Sequence, residues 1–292
     1  MSDISPLQQP ALDDCGLRQR RRQADARPRA LPLRRHDDAI YQFWDDLADF
    51  GSDETDRALT HAMRTISDWI GAQAAFWVGA VRMGGDGELK DPFFGWRLGR
   101  VEILDTPHTS PEFLRTMHNL RTEDLGDTTR AVVSGAGTFR TYSLGTGVVD
   151  MAAFRTTRYY EHFYRAPGIA DRIWVIFPVN VDSESYFVFD TYEAGRQFSA
   201  RELYLGTEAL RGIKWFHRAQ LLSHGLGISR EPLSPAERRI LPKVLTGATE
   251  KAIADQCGLT QGTVHQYITA LYRKFGVRGR SEFMALWLRG RL

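Results

Sequence analysis

From Leu233 to Leu292 the chain spells out where its helices start and stop, and this restricts the fold more than any other feature. Ser234 is a helix N-cap, Pro235 takes the first helical position, where no N–H is needed, and Glu237 completes a capping box. Ile240, Leu241, Val244 and Leu245 then recur at helical spacing, and Gly247 ends that helix. Thr249 caps a second, short helix whose apolar side is Ile253, Ala254 and Cys257, and Gly258 turns the chain. Thr260 caps a third helix with two unlike faces. Val264, Ile268, Leu271 and Phe275 form an apolar stripe, while Gly262, Gln266, Thr269 and Arg273 fall on the other side. A last helical run opens at Ser281. The pattern predicts an all-α unit of four helices whose third member is held by its back and bare on its front.

These residues resemble the C-terminal helix-turn-helix domain of LuxR/NarL-type transcriptional regulators, and the likeness spans essentially the whole module. The landmarks are Glu237, Leu241, Gly247, Ile253-Ala254, Leu259, Thr263-Val264 and the run KFGVRGRSE from Lys274. Three positions depart. Pro242 falls inside the first helix and should kink it or shift its local hydrogen bonding; Ala252 replaces the acidic residue common before the Ile-Ala pair; His265 stands where many members carry lysine, which should trim electrostatic affinity and alter base preference. The resemblance implies sequence-directed binding of double-stranded DNA, since a short polar helix of this kind is what a major groove accepts. In that geometry Gln266, Thr269 and His265 point towards base edges. Thr260, Gln261, Thr263, Lys251, Arg273 and Lys274 are placed for phosphates, the first three helped by the helix N-terminus. The resemblance also implies a homodimer on a roughly two-fold site, with RNA polymerase as a further partner; Phe283, Leu286 and Leu288 either supply part of the dimer contact or cover the first helix as core. A helical unit of the same shape that binds protein is the competing reading.

Charge is distributed in keeping with this. The whole chain has 38 Lys+Arg against 36 Asp+Glu, but residues 230–292 have a net charge of +6, residues 1–36 of +4 and the middle of −8. An acidic body with a basic C-terminal module suggests that only the module faces polyphosphate. At 292 residues and 42% hydrophobic content the chain is long enough for two domains with packed cores. No apolar run approaches the roughly 20 residues of a membrane span, and the N-terminal arginines lack the hydrophobic stretch of an export signal. Two cysteines, Cys15 and Cys257, make no disulfide framework, so a reducing, cytoplasmic location is expected.

Ahead of the module, residues 1–36 read as a disordered basic tail and 37–223 as one α+β domain; 224–232, HGLGISREP, reads as a linker to 233–292. Ile40, Phe43, Trp44, Leu47 and Phe50 mark one amphipathic helix, and Leu59, Met63, Ile66 and Ile70 another. Strands are expected at Ala74–Met83 and Trp96–Leu104, with a glycine-rich loop between them. A helix at Pro111–Leu125, a short helix from Thr129 to a stop at Gly137 and a strand at Thr138–Leu144 follow. Residues 157–167 read as a helix. Two further strands form a hairpin around an Asp-Ser-Glu turn, and one long helix runs from about Ser199 to Ser223. This order, an antiparallel sheet of about five strands flanked by helices, resembles a GAF/PAS-like sensor domain.

A sensor of that kind implies a concave apolar pocket for a small-molecule effector. The candidate lining is Trp77, Phe94, Trp96, Tyr159, Tyr160, Phe163, Trp174, Phe187 and Phe189; ordinary core is the other reading of the same aromatics. The Asp-Pro pair of DPFFGW (Asp91–Trp96) also occurs in acyl-homoserine-lactone receptors. Here Gly-Glu-Leu-Lys precedes it instead of aromatics, and it is read as coincidence. A second function for the domain is a protein-interaction surface, which would make the chain a co-regulator or anti-activator. The order of acidic residues and lysine that a phosphorylated receiver needs is missing. His108, His118 and His162 stand singly, without a Cys-x-x-Cys-His. There is no nucleophile elbow, phosphate loop, His-Glu-x-x-His or metal-spaced Cys/His cluster. No catalysis, cofactor or metal is expected.

Overall fold

The structure, a computed structural model, describes residues 35–82, 94–104, 126–226 and 233–288. The N-terminal tail, the glycine-rich loop after Arg82, the helix expected at Pro111–Leu125, His108, His118 and residues 227–232 lie outside the described residues. The chain divides into two units, Met1–Asp38 and Ala39–Leu292. Of the first, only the opening turn of a helix is described; the second holds both the sheet and the C-terminal helices.

Helices α1 (Arg35–Ala48) and α2 (Thr55–Ile70) bury the stripes expected of them: Ile40, Phe43 and Leu47 on one, Leu59, Met63, Ile66 and Ile70 on the other. Strands β1 (Ala74–Arg82), β2 (Trp96–Leu104), β3 (Arg140–Ser143), β4 (Asp171–Asn180) and β5 (Ser183–Thr191) form one antiparallel sheet in the order β2-β1-β5-β4-β3. Alternation along the strands sorts their side chains onto two faces. Ala75, Trp77, Ile173, Val175, Phe177, Phe187 and Phe189 pack against α1, α2, α4 (Ala200–Arg211) and α5 (Lys214–Ser223). Phe76, Val78, Trp96, Trp174, Ile176, Tyr186 and Val188 face the other way. They meet α3 (Asp127–Ser134) and the helical turns at Met151–Phe154 and Arg158–Arg165, the second of which ends in a π turn.

The β4–β5 turn is tighter than the sequence suggests. Asn180 already pairs with Ser183, so Ser183 and Glu184 belong to the strand and only two residues, 181 and 182, make the turn. Both Ser183 and Glu184 are fully buried. The Glu184 carboxylate accepts two guanidinium bonds from Arg140, each 2.8 Å, along with the Tyr186 hydroxyl at 2.5 Å and the Gly137 N–H at 2.8 Å. Burial, and then the carboxylate beside it, push the Tyr186 hydroxyl well above its ordinary pKa. On the same face the Arg172 guanidinium grips Asp190 at 2.5 and 2.6 Å and lies over the rings of Tyr164, Trp174 and Phe76.

The single helix expected over Ser199–Ser223 is two helices, broken at Gly212 and Ile213. The cause lies on α1. Trp44 donates its indole N–H to the carbonyl of Ala209 at 2.8 Å, taking the acceptor that the Ile213 N–H would need to continue the helix. The same indole occupies the space a Cβ at position 212 would fill, 2.4 Å away, so only glycine lets it approach.

Across this break α5 buries His217 completely. Its Nε2–H donates to the carbonyl of Leu210 at 2.8 Å, and its Nδ1 accepts from Ser185, which itself accepts from the Trp77 indole. Burial pulls the ring's pKa down to about 4, against the opposing bond to Leu210. The unfolded chain therefore binds a proton here that the native chain refuses, so stability present above pH 6.5 is lost as pH falls from 6.5 towards 4. Urea unfolding at stepwise lower pH should show that loss, and the His217 ring should remain neutral by NMR until about pH 4.

Candidate nucleic-acid interface

The C-terminal helices are α6 (Pro235–Leu245), α7 (Glu250–Cys257), α8 (Gln261–Lys274) and α9 (Arg280–Leu288). Each of the first three begins as its sequence dictates. Ser234 and Glu237 form a reciprocal capping box, Thr249 accepts the Ala252 N–H, and Thr260 accepts the Thr263 N–H. Gly258, at φ +66°, closes α7 in the left-handed region and turns the chain into α8. The helix α6 runs through Pro242 without a break.

One apolar core holds the four helices together. Ile240, Leu241, Val244, Ile253, Ala254, Val264, Ile268, Leu271, Phe275 and Phe283 are buried in it, with Leu222 from the end of α5. Of the two places open to Phe283, dimer contact or core, it takes the core, fully buried between Tyr272 and Phe275, with ring centroids at 5.5 and 5.1 Å. A large apolar ring on α9 closes the core because α8 offers it two aromatic partners. Leu286 is half-buried against the same core.

With its back so held, α8 leaves Gln261, Gly262, His265, Gln266, Thr269 and Arg273 exposed along its front, and Lys251 is exposed on α7. Thr263 is half-buried, its hydroxyl 2.8 Å from that of Thr260. Two residues expected on the open face are engaged inside the module. The Lys274 ammonium donates to Glu237 at 2.7 Å, linking the end of α8 to the start of α6. Burial disfavours the Glu237 charge, but the bonds from Lys274 and Ser234 outweigh it and lower the pKa. His265 stays exposed, yet its Nδ1 lies 3.0 Å from the carboxylate of Glu250 on α7.

Beside α8 runs a concavity of about 500 Å³, lined by Glu250, His265, Ile268, Thr269, Tyr272, Arg273, Val277, Arg278 and Arg280. Arg278 and Arg280 were not among the sequence candidates, although the KFGVRGRSE run contains both. Arg280 donates to the carbonyls of Gly247 and Ala248, which fixes the loop between α6 and α7. Arg278 remains exposed at the concavity.

On the α+β side the aromatic candidates separate. Trp96, Phe163 and Trp174 are buried in one cluster, with Tyr159 and Tyr160 partly buried against it. Trp77 is fully buried on the opposite face of the sheet, and Phe94 is 57% exposed at positive φ. The cluster contains a member the sequence reading missed. Tyr164 is fully buried, its hydroxyl 3.0 Å from Thr128, and burial drives its pKa well up. Its spacing of four from Tyr160 was the available signal.

The expected linker begins as packed structure. Leu226 is buried against β1 and β2, where a Cβ at Gly79 or Gly99 would come within 2.3 or 2.7 Å of it. His224 is buried beside it. Glu102 on β2 accepts from Arg100 at 2.7 Å and Arg238 at 3.2 Å, and lies 3.1 Å from the His224 Nε2. Burial works against the Glu102 charge, but the hydrogen bonds of His224 and Arg100 prevail and hold its pKa at about 2. Arg218 on α5 donates to the carbonyl of Leu286 on α9.

Four capped helices around one core, with the front of the third left bare, define a helix-turn-helix module. Residues 231–286 match the family described as bacterial regulatory proteins, luxR family. Over 56 residues the chain is 39% identical to the probable HTH-type transcriptional regulator GfsR of Streptomyces halstedii, which is 19% of this chain and 23% of that protein. The chain thus spans about a quarter of the length of this curated relative. Among solved structures, the VqsR LBD domain from Pseudomonas aeruginosa overlays at a TM-score of 0.41 and 12% identity, covering 63% of this chain and 95% of that one. SdiA of Escherichia coli overlays at 0.37 and 12%, covering 85% and 94%. Among the described residues no group of His, Cys, Asp or Glu is arranged to hold a metal ion, and no helix is long and apolar enough to cross a membrane.

Proposed function

We propose that the protein is a cytoplasmic DNA-binding transcription regulator in which the front of α8 reads a duplex. In this reading residues 37–223 form a GAF/PAS-like input domain, and a homodimer binds a roughly two-fold site with RNA polymerase as a further partner. The disposition of α8 carries the proposal. Its stripe Val264, Ile268 and Leu271 is at most 5% exposed, while Gln266, Thr269 and Arg273 on the front touch solvent. A helix buried on one side and polar on the other has a ready partner in the major groove. Gln266 and Thr269 take base edges. Gln261, Thr263, Lys251 and Arg273 take phosphates, aided at the start of α8 by its free N–H groups. Lys274 acts by positioning α8 through Glu237.

Fluorescence anisotropy on a duplex selected from a random library tests this. Arg273→Ala should weaken binding to selected and random duplexes alike and reduce the salt slope by about one unit. Gln266→Ala should cost about 1–3 kcal/mol at one base position and leave random DNA almost unaffected. No binding to any duplex at low salt would end the proposal; equal losses on both duplexes for Gln266→Ala would remove the base contact.

For the input domain, the sheet face with Trp96, Tyr159, Tyr160, Phe163 and Trp174 is the favoured effector site, because these rings fall in one aromatic cluster and the Arg172 guanidinium lies over Trp174 within it. Trp77 and Phe94 drop out of that set. A domain that takes a protein partner instead draws support from Tyr204 and Trp215, large side chains left 53% and 46% exposed on α4 and α5. A thermal-shift screen separates the two, since a metabolite that binds the native state must raise the midpoint.

A further inference from the structure

Glu250 is the first residue of α7, and its carboxylate lies against the ring of a residue on the open front of α8. The two side chains differ in exposure: His265 is 67% exposed and Glu250 32%. Among the described residues the ring is engaged only through Nδ1, 3.0 Å from Glu250 Oε1. An ionised carboxylate can only accept, so a hydrogen bond at that distance requires the proton on Nδ1. In a neutral imidazole the other nitrogen then carries a lone pair, because the partner of one ring nitrogen decides the state of the other.

We propose that Glu250 is a specificity-positioning residue. It fixes His265 as the Nδ1–H tautomer and presents Nε2 to the groove as a hydrogen-bond acceptor. The inference rests on the DNA-reading function proposed above. In the major groove an acceptor pairs with the exocyclic amine of cytosine or adenine, and it meets a like acceptor at guanine O6 or thymine O4. His265 therefore selects a base that offers an N–H at one position of the site. Without Glu250 the same ring could offer either a donor or an acceptor, and that selection would disappear. A carboxylate beside a phosphate-facing helix opposes DNA binding in general; here it supplies discrimination in exchange.

The test is selection from a randomised duplex library by the full chain, followed by sequencing, with wild type, Glu250→Gln and His265→Lys. A glutamine amide can either donate to Nδ1 or accept from it, so Glu250→Gln removes the constraint while keeping the shape. Wild type should prefer cytosine or adenine about tenfold at one position. Glu250→Gln should bind at least as tightly, with that preference reduced to under about threefold and the other positions unchanged. His265→Lys, a pure donor, should move the preference at that position to guanine. Nitrogen-15 NMR of the His265 ring at pH 8, assigned by its loss in His265→Lys, should show Nδ1 protonated in wild type and a mixture in Glu250→Gln. If wild type enriches no sequence, the DNA-reading function itself fails. If wild type enriches a site and Glu250→Gln enriches the same one with undiminished preference, or the wild-type ring carries its proton on Nε2, this inference alone is overturned.

Discussion

Glu184→Ala is expected to cost about 3–5 kcal/mol, because it leaves the charge of Arg140 buried without its partner. The cost is that high because little else can take over. Arg140 is 6% exposed and Glu184 not at all. The carboxylate also satisfies the Gly137 N–H and the Tyr186 hydroxyl. Replacing it orphans those donors together, and each buried orphan is itself unfavourable. A domain is typically stable by only about 5–15 kcal/mol, so the single variant should unfold at markedly lower urea concentration or fail to accumulate. The control is the double variant Arg140→Met with Glu184→Met, which removes both charges and should recover the part of the loss that comes from the unpaired guanidinium, but not the part from the orphaned Gly137 N–H and Tyr186 hydroxyl. Equilibrium urea unfolding of the three chains checks the cycle. A Glu184→Ala midpoint within error of wild type would mean that the network adds nothing to stability.

Phe283→Ala should cost a similar amount, about 3–5 kcal/mol, by opening a cavity in the core of the helix-turn-helix module. The ring is fully buried and meets Tyr272 on the same helix as Arg273, so its removal loosens the back of α8. DNA binding should fall with stability, on selected and random duplexes alike, and Phe283→Leu should keep most of both. Had this ring served mainly between two copies, the alanine variant would stay folded and lose only its dependence on protein concentration. Sedimentation beside the unfolding curve distinguishes the two results.

How much of this was legible depended on how far each residue's partner lay along the chain. The helix-turn-helix module was open to reading because its caps, stops and stripes involve partners three or four residues apart. The limits of β2 were equally plain, since alternation is a local property. The two faces of the sheet could not be assigned in advance. Trp77 and Phe76 are neighbours of similar character, and only the helices packed on each side decide which joins which core. Glu184 looked like a turn residue because its reason for entering a strand, Arg140, is 44 positions away. The break after Arg211 was still less visible, since its cause is an indole 165 residues from the carbonyl it captures. At the proposed interface the exposed positions followed from helical periodicity. The engagement of Lys274 by Glu237, and of His265 by Glu250, depended on how three helices fold back on one another.

The seating of Leu226 in the hollow formed by two glycines carries a mechanical corollary. The strand beside it, β2, is the outermost of the sheet and is bonded to β1 alone among the described strands. Like β3 at the other edge, it lacks a second neighbour to hold its register. Side chains alternate with a period of two, so a slip of one residue would turn Glu102 to the far face. Arg238 on α6 would lose one of its two carboxylate partners, keeping Asp56 at 3.6 Å, and would be left beside His224. A rim strand and the helix-turn-helix module thus share a fastener, and the register of the former is a setting that the latter must feel.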